Sequence, residues 1–144
     1  AAVRDPARLA ALHDSGLLDA AAEQAFDRLT RLAVRLVGVP AAFIALVDRD
    51  RDFYLSECGM AEPIASEREL RGATFCQYAI AGREPLVIPD TTVDPRYEAV
   101  PLARELGVGA YVGVPIRTAD GRALGSFCAV DVRPHAWSAE EVEV

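Results

Sequence analysis

The sequence predicts an α+β domain built on antiparallel hairpins, and three observations carry that prediction. Two pairs of apolar, β-rich runs are each joined by a short polar turn. Between Phe26 and Leu36 apolar side chains recur at three- and four-residue steps. Near the far end, Ser138 and Glu141 stand at the spacing of a capping box, which starts one more helix at about Ala139. The order is helix, helix, strand, strand, loop, helix, strand, loop, strand, strand, helix start. With 144 residues, 51% of them hydrophobic, the chain is long enough for one domain around one core.

Asp5 before Pro6 marks an N-cap with proline at the first helical position, and Gly16 closes that helix near Ser15. A second helix is expected from Asp19, with Phe26, Leu29, Ala33 and Leu36 as its packing face and Gly38 and Pro40 as its end. From Ala41 the period changes. Residues 41–48, AAFIALVD, are a strand, residues 49–52, RDRD, a polar turn, and residues 53–58, FYLSEC, a returning strand. Residues 59–72 have no clear period and are expected to form a long loop with one short strand at Glu69 to Arg71; long loops of this kind often serve as binding lids.

Thr74 can cap a short helix, TFCQYAIAG, ending at Gly82, and PLVIPD then supplies a strand. Residues 91–107 are expected to be a loop and a helical turn closed by Gly107. The second hairpin pairs VGAYVGVPI with ALGSFCAVDV across RTADGR, whose Asp120-Gly121 step is a strong hairpin signal. Glycines inside strands cost stability, so Gly113 and Gly125 point to a close approach of another group. Pro115 cannot donate to a ladder and implies a local edge or bulge.

The net charge of -7 and the pI near 4.8 argue against a nucleic-acid surface. All 15 basic residues are Arg and alanine is abundant, a bias expected of a GC-rich bacterial genome. Three scattered cysteines make neither a disulfide framework nor a Cys-x-x-Cys pair, and a reducing cytoplasm is the expected location. No apolar run approaches the roughly 20 residues of a spanning helix.

The runs FDRLTRLAVRLVGVPAAFIALVD, TFCQYAI, PLVIPDTTVDPRY, YVGVPI and DGRALGSFCAVD, in that order and followed by RP, resemble the GAF domain of bacterial sensor and signalling proteins. The resemblance implies a central antiparallel sheet of five or six strands, related to the PAS fold. Helices from both chain ends would pack on one face, and a small-molecule pocket would lie on the other. It implies a non-catalytic regulatory module, residues 1–144, belonging to a longer signalling protein and cut inside the last helix. The expected partners are an unidentified small molecule, a second copy joined through the terminal helices, and a covalently attached effector such as a histidine kinase, diguanylate cyclase, phosphodiesterase or phosphatase, as in two-component signalling. Two alternatives stay open: a GAF-like free methionine-(R)-sulfoxide reductase working through cysteines, and a ligand-free dimerisation spacer.

Under that resemblance the candidate ligand-binding residues are Phe75, Cys76 and Tyr78 on the short helix, Asp94, Arg96 and Tyr97 in the loop, and Tyr111 and Phe127 on the last strands. Buried tyrosine hydroxyls need partners, which favours Tyr78 and Tyr111 as ligand contacts. Cys76 is either a ligand thiol, a redox sensor or a bilin attachment point, or else a small buried hydrophobe. Bilin-binding relatives place a histidine beside their attachment cysteine where this chain has Gln77, so bilin is not expected. Haem is not expected either, since His13 and His135 fall outside the pocket segments. Cys128 is expected in the core, Cys58 near the surface, Asp90 and Asp131 as turn caps, and Trp137 as a hydrophobic staple for the last helix.

Overall fold

The computed structural model describes residues 2–19, 23–60, 64–71, 74–91 and 108–143. After a 3-10 turn at Ala2–Arg4 come α1 (Pro6–Asp14), α2 (Gln24–Val37), β1 (Ala41–Val47), β2 (Arg51–Cys58), α3 (Ile64–Glu67), β3 (Glu69–Arg71), α4 (Phe75–Ala79), β4 (Leu86–Ile88), β5 (Ala110–Arg117), β6 (Ala123–Asp131) and α5 (Ala139–Glu143). The six strands form one antiparallel sheet in the order β3-β2-β1-β6-β5-β4. Both hairpins are adjacent pairs, and β1 joins β6 at the centre.

Strand alternation divides the interior into two cores. On one face Phe43, Ala45, Val47, Tyr54, Tyr111, Cys128 and Val130 pack under Ile64 of α3 and Phe75, Cys76 and Ile80 around α4. On the other, Ile44, Leu46, Phe53, Leu55 and Leu124 meet Leu12 of α1, while Val112 and Ala129 meet Val37, Trp137 and Val142. The helices of both ends therefore cover one face and the short helices the other, as the resemblance implies.

Several element boundaries depart from the sequence prediction. The backbone at Asp19 turns left-handed (φ 57°) and its carboxylate accepts from Arg51 at 2.7 Å, so Asp19 does not cap the second helix, which starts at Gln24. Neither Asp5 nor Thr74 makes a side-chain cap bond; Pro6 and the tertiary packing of Phe75 and Cys76 hold those helices. The buried stripe of α2 runs Phe26, Thr30, Ala33 and Val37, whereas Leu29 (47% exposed), Leu32 (49%) and Leu36 (59%) form a second, outward stripe. Predicted face and observed face share Phe26 and Ala33 only. In the polar turn, strand pairing already begins at Arg51, and the loop ahead of β3 contains α3.

Other expectations hold. Gly38 takes the left-handed C-cap conformation (φ 75°), and Gly121 (φ 89°) closes the second hairpin. Ser138 and Glu141 exchange both capping-box bonds, at 2.9 and 3.1 Å. Pro115 lies beyond the last β4 partner of β5, where the outer ladder has ended, and the register slips one step later at Ile116/Arg117. Asp131 accepts from the Arg133 amide at 3.3 Å.

Candidate functional site

Seven polar side chains meet on the α4 side of the sheet, and each is placed there by strand parity or by the start of α4. Asp52 and Tyr54 alternate with Phe53 on β2; Ser126 and Cys128 alternate with Phe127 on β6; Tyr111 comes from β5; Thr74 and Cys76 flank the first residue of α4. All seven are buried. The Tyr111 hydroxyl lies 3.0 Å from Cys128 Sγ, 3.4 Å from Ser126 Oγ and 3.5 Å from Cys76 Sγ. Ser126 Oγ lies 2.8 Å from Cys128 Sγ, and the two sulfurs are 3.6 Å apart. The Tyr111 ring stacks at a tilt on Phe75, with centroids 5.0 Å apart.

Beside this bonded half is an unsatisfied half. Among the described residues both carboxylate oxygens of Asp52 and the hydroxyls of Tyr54 and Thr74 are buried without a hydrogen bond of normal geometry. Burial pushes the Asp52 carboxyl up to about 7; the Thr74 hydroxyl, the Cys76 thiol and the Arg8 charge oppose that rise without cancelling it. Burial also drives the Tyr54 and Tyr111 hydroxyls and the Cys76 thiol upward, with the negative charge that Asp52 or the neighbouring sulfurs would carry adding to it. A buried, unpaired carboxylate is costly, and proteins concentrate such groups at functional sites.

Of the predicted ligand residues, the structure brings together Phe75, Cys76 and Tyr111. Tyr78 points away, 43% exposed, so its hydroxyl does not need a ligand partner. Phe127 faces the opposite core with Ile116, because it alternates with Ser126 and Cys128 on β6, and Leu124 joins that core where the register slips at Ile116/Arg117. Asp94, Arg96 and Tyr97 lie outside the described residues. Gly113 and Gly125 do mark close approaches, but the occupants are the Tyr111 ring and the Ala45 backbone of β1 rather than a ligand or a helix. His13 bonds Asp48 at 3.0 Å, and His135 is held between Asp131 and Glu141. No group of three or more His, Cys, Asp or Glu side chains converges as a metal site among the described residues.

Asp52 is the residue that sequence inspection missed. It sits in a run of alternating Asp and Arg that looks like solvated turn, yet it stands two residues before Tyr54 on a paired strand, and that parity was the available signal.

The helix-covered face holds a cavity of about 180 Å³ lined by Ala33 and Val37 of α2, Val112 and Val114 of β5, Phe127 and Ala129 of β6, and Glu141 and Val142 of α5. Residues of β5 and β6 thus reach the polar nest on one side and this cavity on the other. Trp137 fastens the same region, its indole N–H donating to the Ile88 carbonyl of β4 at 3.1 Å.

Comparison with known proteins places this geometry in a family. The GAF domain model matches residues 21–144. The chain is 31% identical over 134 residues to the cyclic di-GMP phosphodiesterase PA2567 of Pseudomonas aeruginosa, covering 92% of this chain and 22% of that protein's length. Among solved structures, the GAF domain of a phosphoenolpyruvate-protein phosphotransferase from Coxiella burnetii is similar with a TM-score of 0.69 at 18% identity, covering 95% of this chain and 83% of that one. The type II free methionine-R-sulfoxide reductase of Thermoplasma acidophilum is similar with a TM-score of 0.60 at 16% identity, covering 81% of each chain. At those identities the two structures share the fold.

Proposed function

Because the chain belongs to the GAF domain family, we propose that it is a regulatory sensor module which binds a small molecule on the α4 side of the sheet and signals through the helices on the other side. The observation that carries this reading is the buried Asp52 carboxyl beside the buried hydroxyls of Tyr54 and Thr74, none of them in a hydrogen bond of normal geometry within the protein. A ligand offering N–H or O–H donors would satisfy all three acceptors and recover the desolvation they suffer.

The same strands link input to output. Tyr111 and Cys128 face the nest while Val112 and Ala129, their neighbours on β5 and β6, pack against the region of α2 and α5. A ligand preferring one setting of these strands would shift the population of terminal-helix arrangements and so bias an attached effector. The chain spans 22% of its phosphodiesterase relative, and we assign it the corresponding place, a cytoplasmic non-catalytic domain attached to a signalling enzyme. The outward stripe of Leu29, Leu32 and Leu36 on α2 supports self-association through that helix. No helix is long and apolar enough to cross a membrane among the described residues.

Native mass spectrometry of the protein as purified, alongside its Asp52→Asn variant, tests the sensor reading. The wild type is expected to retain a noncovalent small-molecule mass that the variant loses. An identical retained mass in both proteins, or none in either, would count against binding at this nest.

A further inference from the structure

The reading above gives the two buried thiols of the nest no chemistry of their own. Cys76 at the start of α4 and Cys128 in the middle of β6 are 52 residues apart in sequence, yet their sulfurs lie 3.6 Å from each other. Each is also within reach of one hydroxyl donor, Tyr111 Oη, and Cys128 is within reach of a second, Ser126 Oγ. The buried Asp52 carboxyl lies close enough to Cys76 for the thiol to act on its titration, with no other hydrogen bond of normal geometry. Ordinary core cysteines sit among apolar groups and are inert. Here two thiols, two hydroxyl donors and one proton acceptor are held in a single buried cluster. The third cysteine, Cys58, ends β2 half-buried and outside it.

We infer that Cys76 and Cys128 form a dithiol–disulfide couple oxidised by small hydroperoxides, with Asp52 as the group that takes the Cys76 proton. Asp52 accepts the Cys76 proton, and the Cys76 sulfur attacks one peroxide oxygen. The O–O bond breaks, a sulfenic acid forms on Cys76, and the departing oxygen leaves as water or alcohol with the proton from Asp52. The Cys128 sulfur then attacks the Cys76 sulfur and its S–O bond breaks. The hydroxide so released leaves as water with the Cys128 proton. Two thiols lose two electrons in total, and the peroxide gains them.

Closing the bond requires the sulfurs to approach by about 1.5 Å, a shift within the reach of the five-residue α4. Burial raises the Cys76 thiol and so keeps its thiolate scarce, which makes a proton acceptor at its side the condition for reaction. The disulfide would fasten α4 to β6, the strand whose opposite face meets the terminal helices. This couple needs no bound ligand, and the crosslink between Cys76 and Cys128 is read independently of the sensor site, with which it shares Asp52.

The test is to treat the reduced protein with stoichiometric hydrogen peroxide, then alkylate it under denaturing conditions and measure the intact mass and the peptide map. The expected result is an intact mass of the reduced protein plus one alkyl group less about 2 Da, with Cys76 and Cys128 joined in one crosslinked peptide pair and Cys58 alkylated. The same loss is expected in Cys58→Ser. In Cys128→Ser it should be replaced by a Cys76 sulfenic acid that dimedone traps. Asp52→Asn, shown folded by its circular dichroism spectrum, is expected to oxidise at least ~10-fold more slowly. A crosslink involving Cys58 or two chains, oxygen addition without a crosslink, or no reaction of the wild type would overturn the couple. An unchanged rate in Asp52→Asn would overturn the role given to Asp52.

Discussion

The hydroxyls of Thr30 on α2 and Ser56 on β2 meet at 3.0 Å in the interior. Ser56 donates its own proton to Asp27 Oδ1 at 2.7 Å, so Thr30 is left to donate to Ser56, sharing its proton with the Asp27 carbonyl at 3.1 Å. Both hydroxyls are buried, and the chain of bonds is the polar seam between an otherwise apolar helix face and the sheet.

Thr30→Val keeps the shape and removes the donor. The expected cost is about 1–3 kcal/mol in chemical denaturation, because Ser56 loses its buried partner. The double variant Thr30→Val/Ser56→Ala should cost less than the sum of the single changes, the sign of a direct coupling.

Asp52 predicts an inverted pH dependence. Its carboxyl, ordinarily near 3.8, is pushed up to about 7 by burial, so the folded state holds a proton that the unfolded state has released. Between those values the folded state binds more protons, and stability therefore falls as the pH rises, levelling off above about pH 7. That change corresponds to a contribution on the order of 4 kcal/mol. Asp52→Asn removes that contribution. Denaturation midpoints at about pH 5 and about pH 8 should show the variant gaining on the wild type chiefly at the higher pH.

Much of this architecture is legible in the sequence because it rests on local signals. The Asp120-Gly121 turn, the Gly38 C-cap and the Ser138/Glu141 capping box are each set within a few residues, and each stands where its local chemistry puts it. What was not legible depends on parity and on partners distant in sequence. Asp52 looks like turn until its pairing with Val47 on β1 is known, and Phe127 falls on the helix side because it alternates with Ser126 and Cys128, which β6 turns toward α4. On α2, apolar residues run along two faces, so periodicity alone does not say which one meets the sheet. The proximity of Cys76 and Cys128 arises only from the tertiary fold.

The glycines of the second hairpin give two different outcomes. A Cβ on Gly125 would strike the Ala45 backbone, so Gly125→Ala has to part β6 from β1 and should cost more than about 3 kcal/mol. A Cβ on Gly113 would strike the Tyr111 hydroxyl and ring edge, side-chain atoms able to give way. Gly113→Ala should cost about 1–3 kcal/mol in the wild type and less in a Tyr111→Phe background.

The outward leucines of α2 make self-association testable. Leu32→Glu places a charge amid the Leu29, Leu32 and Leu36 stripe without touching the buried face. Sedimentation velocity should show the wild type as a dimer and Leu32→Glu as a monomer with an unchanged thermal midpoint; a monomeric wild type would remove this helix from the signalling route.

The most direct test of a sensor site at Asp52 is a thermal-shift screen of the wild type, Asp52→Asn and the surface variant Arg28→Ala. The panel would hold cyclic nucleotides, cyclic dinucleotides, amino acids and 2-oxo acids. Occupation of the nest predicts that at least one compound raises the melting temperature of the wild type and of Arg28→Ala while leaving Asp52→Asn unmoved. A compound that stabilises all three equally, or a panel that stabilises none, would contradict it.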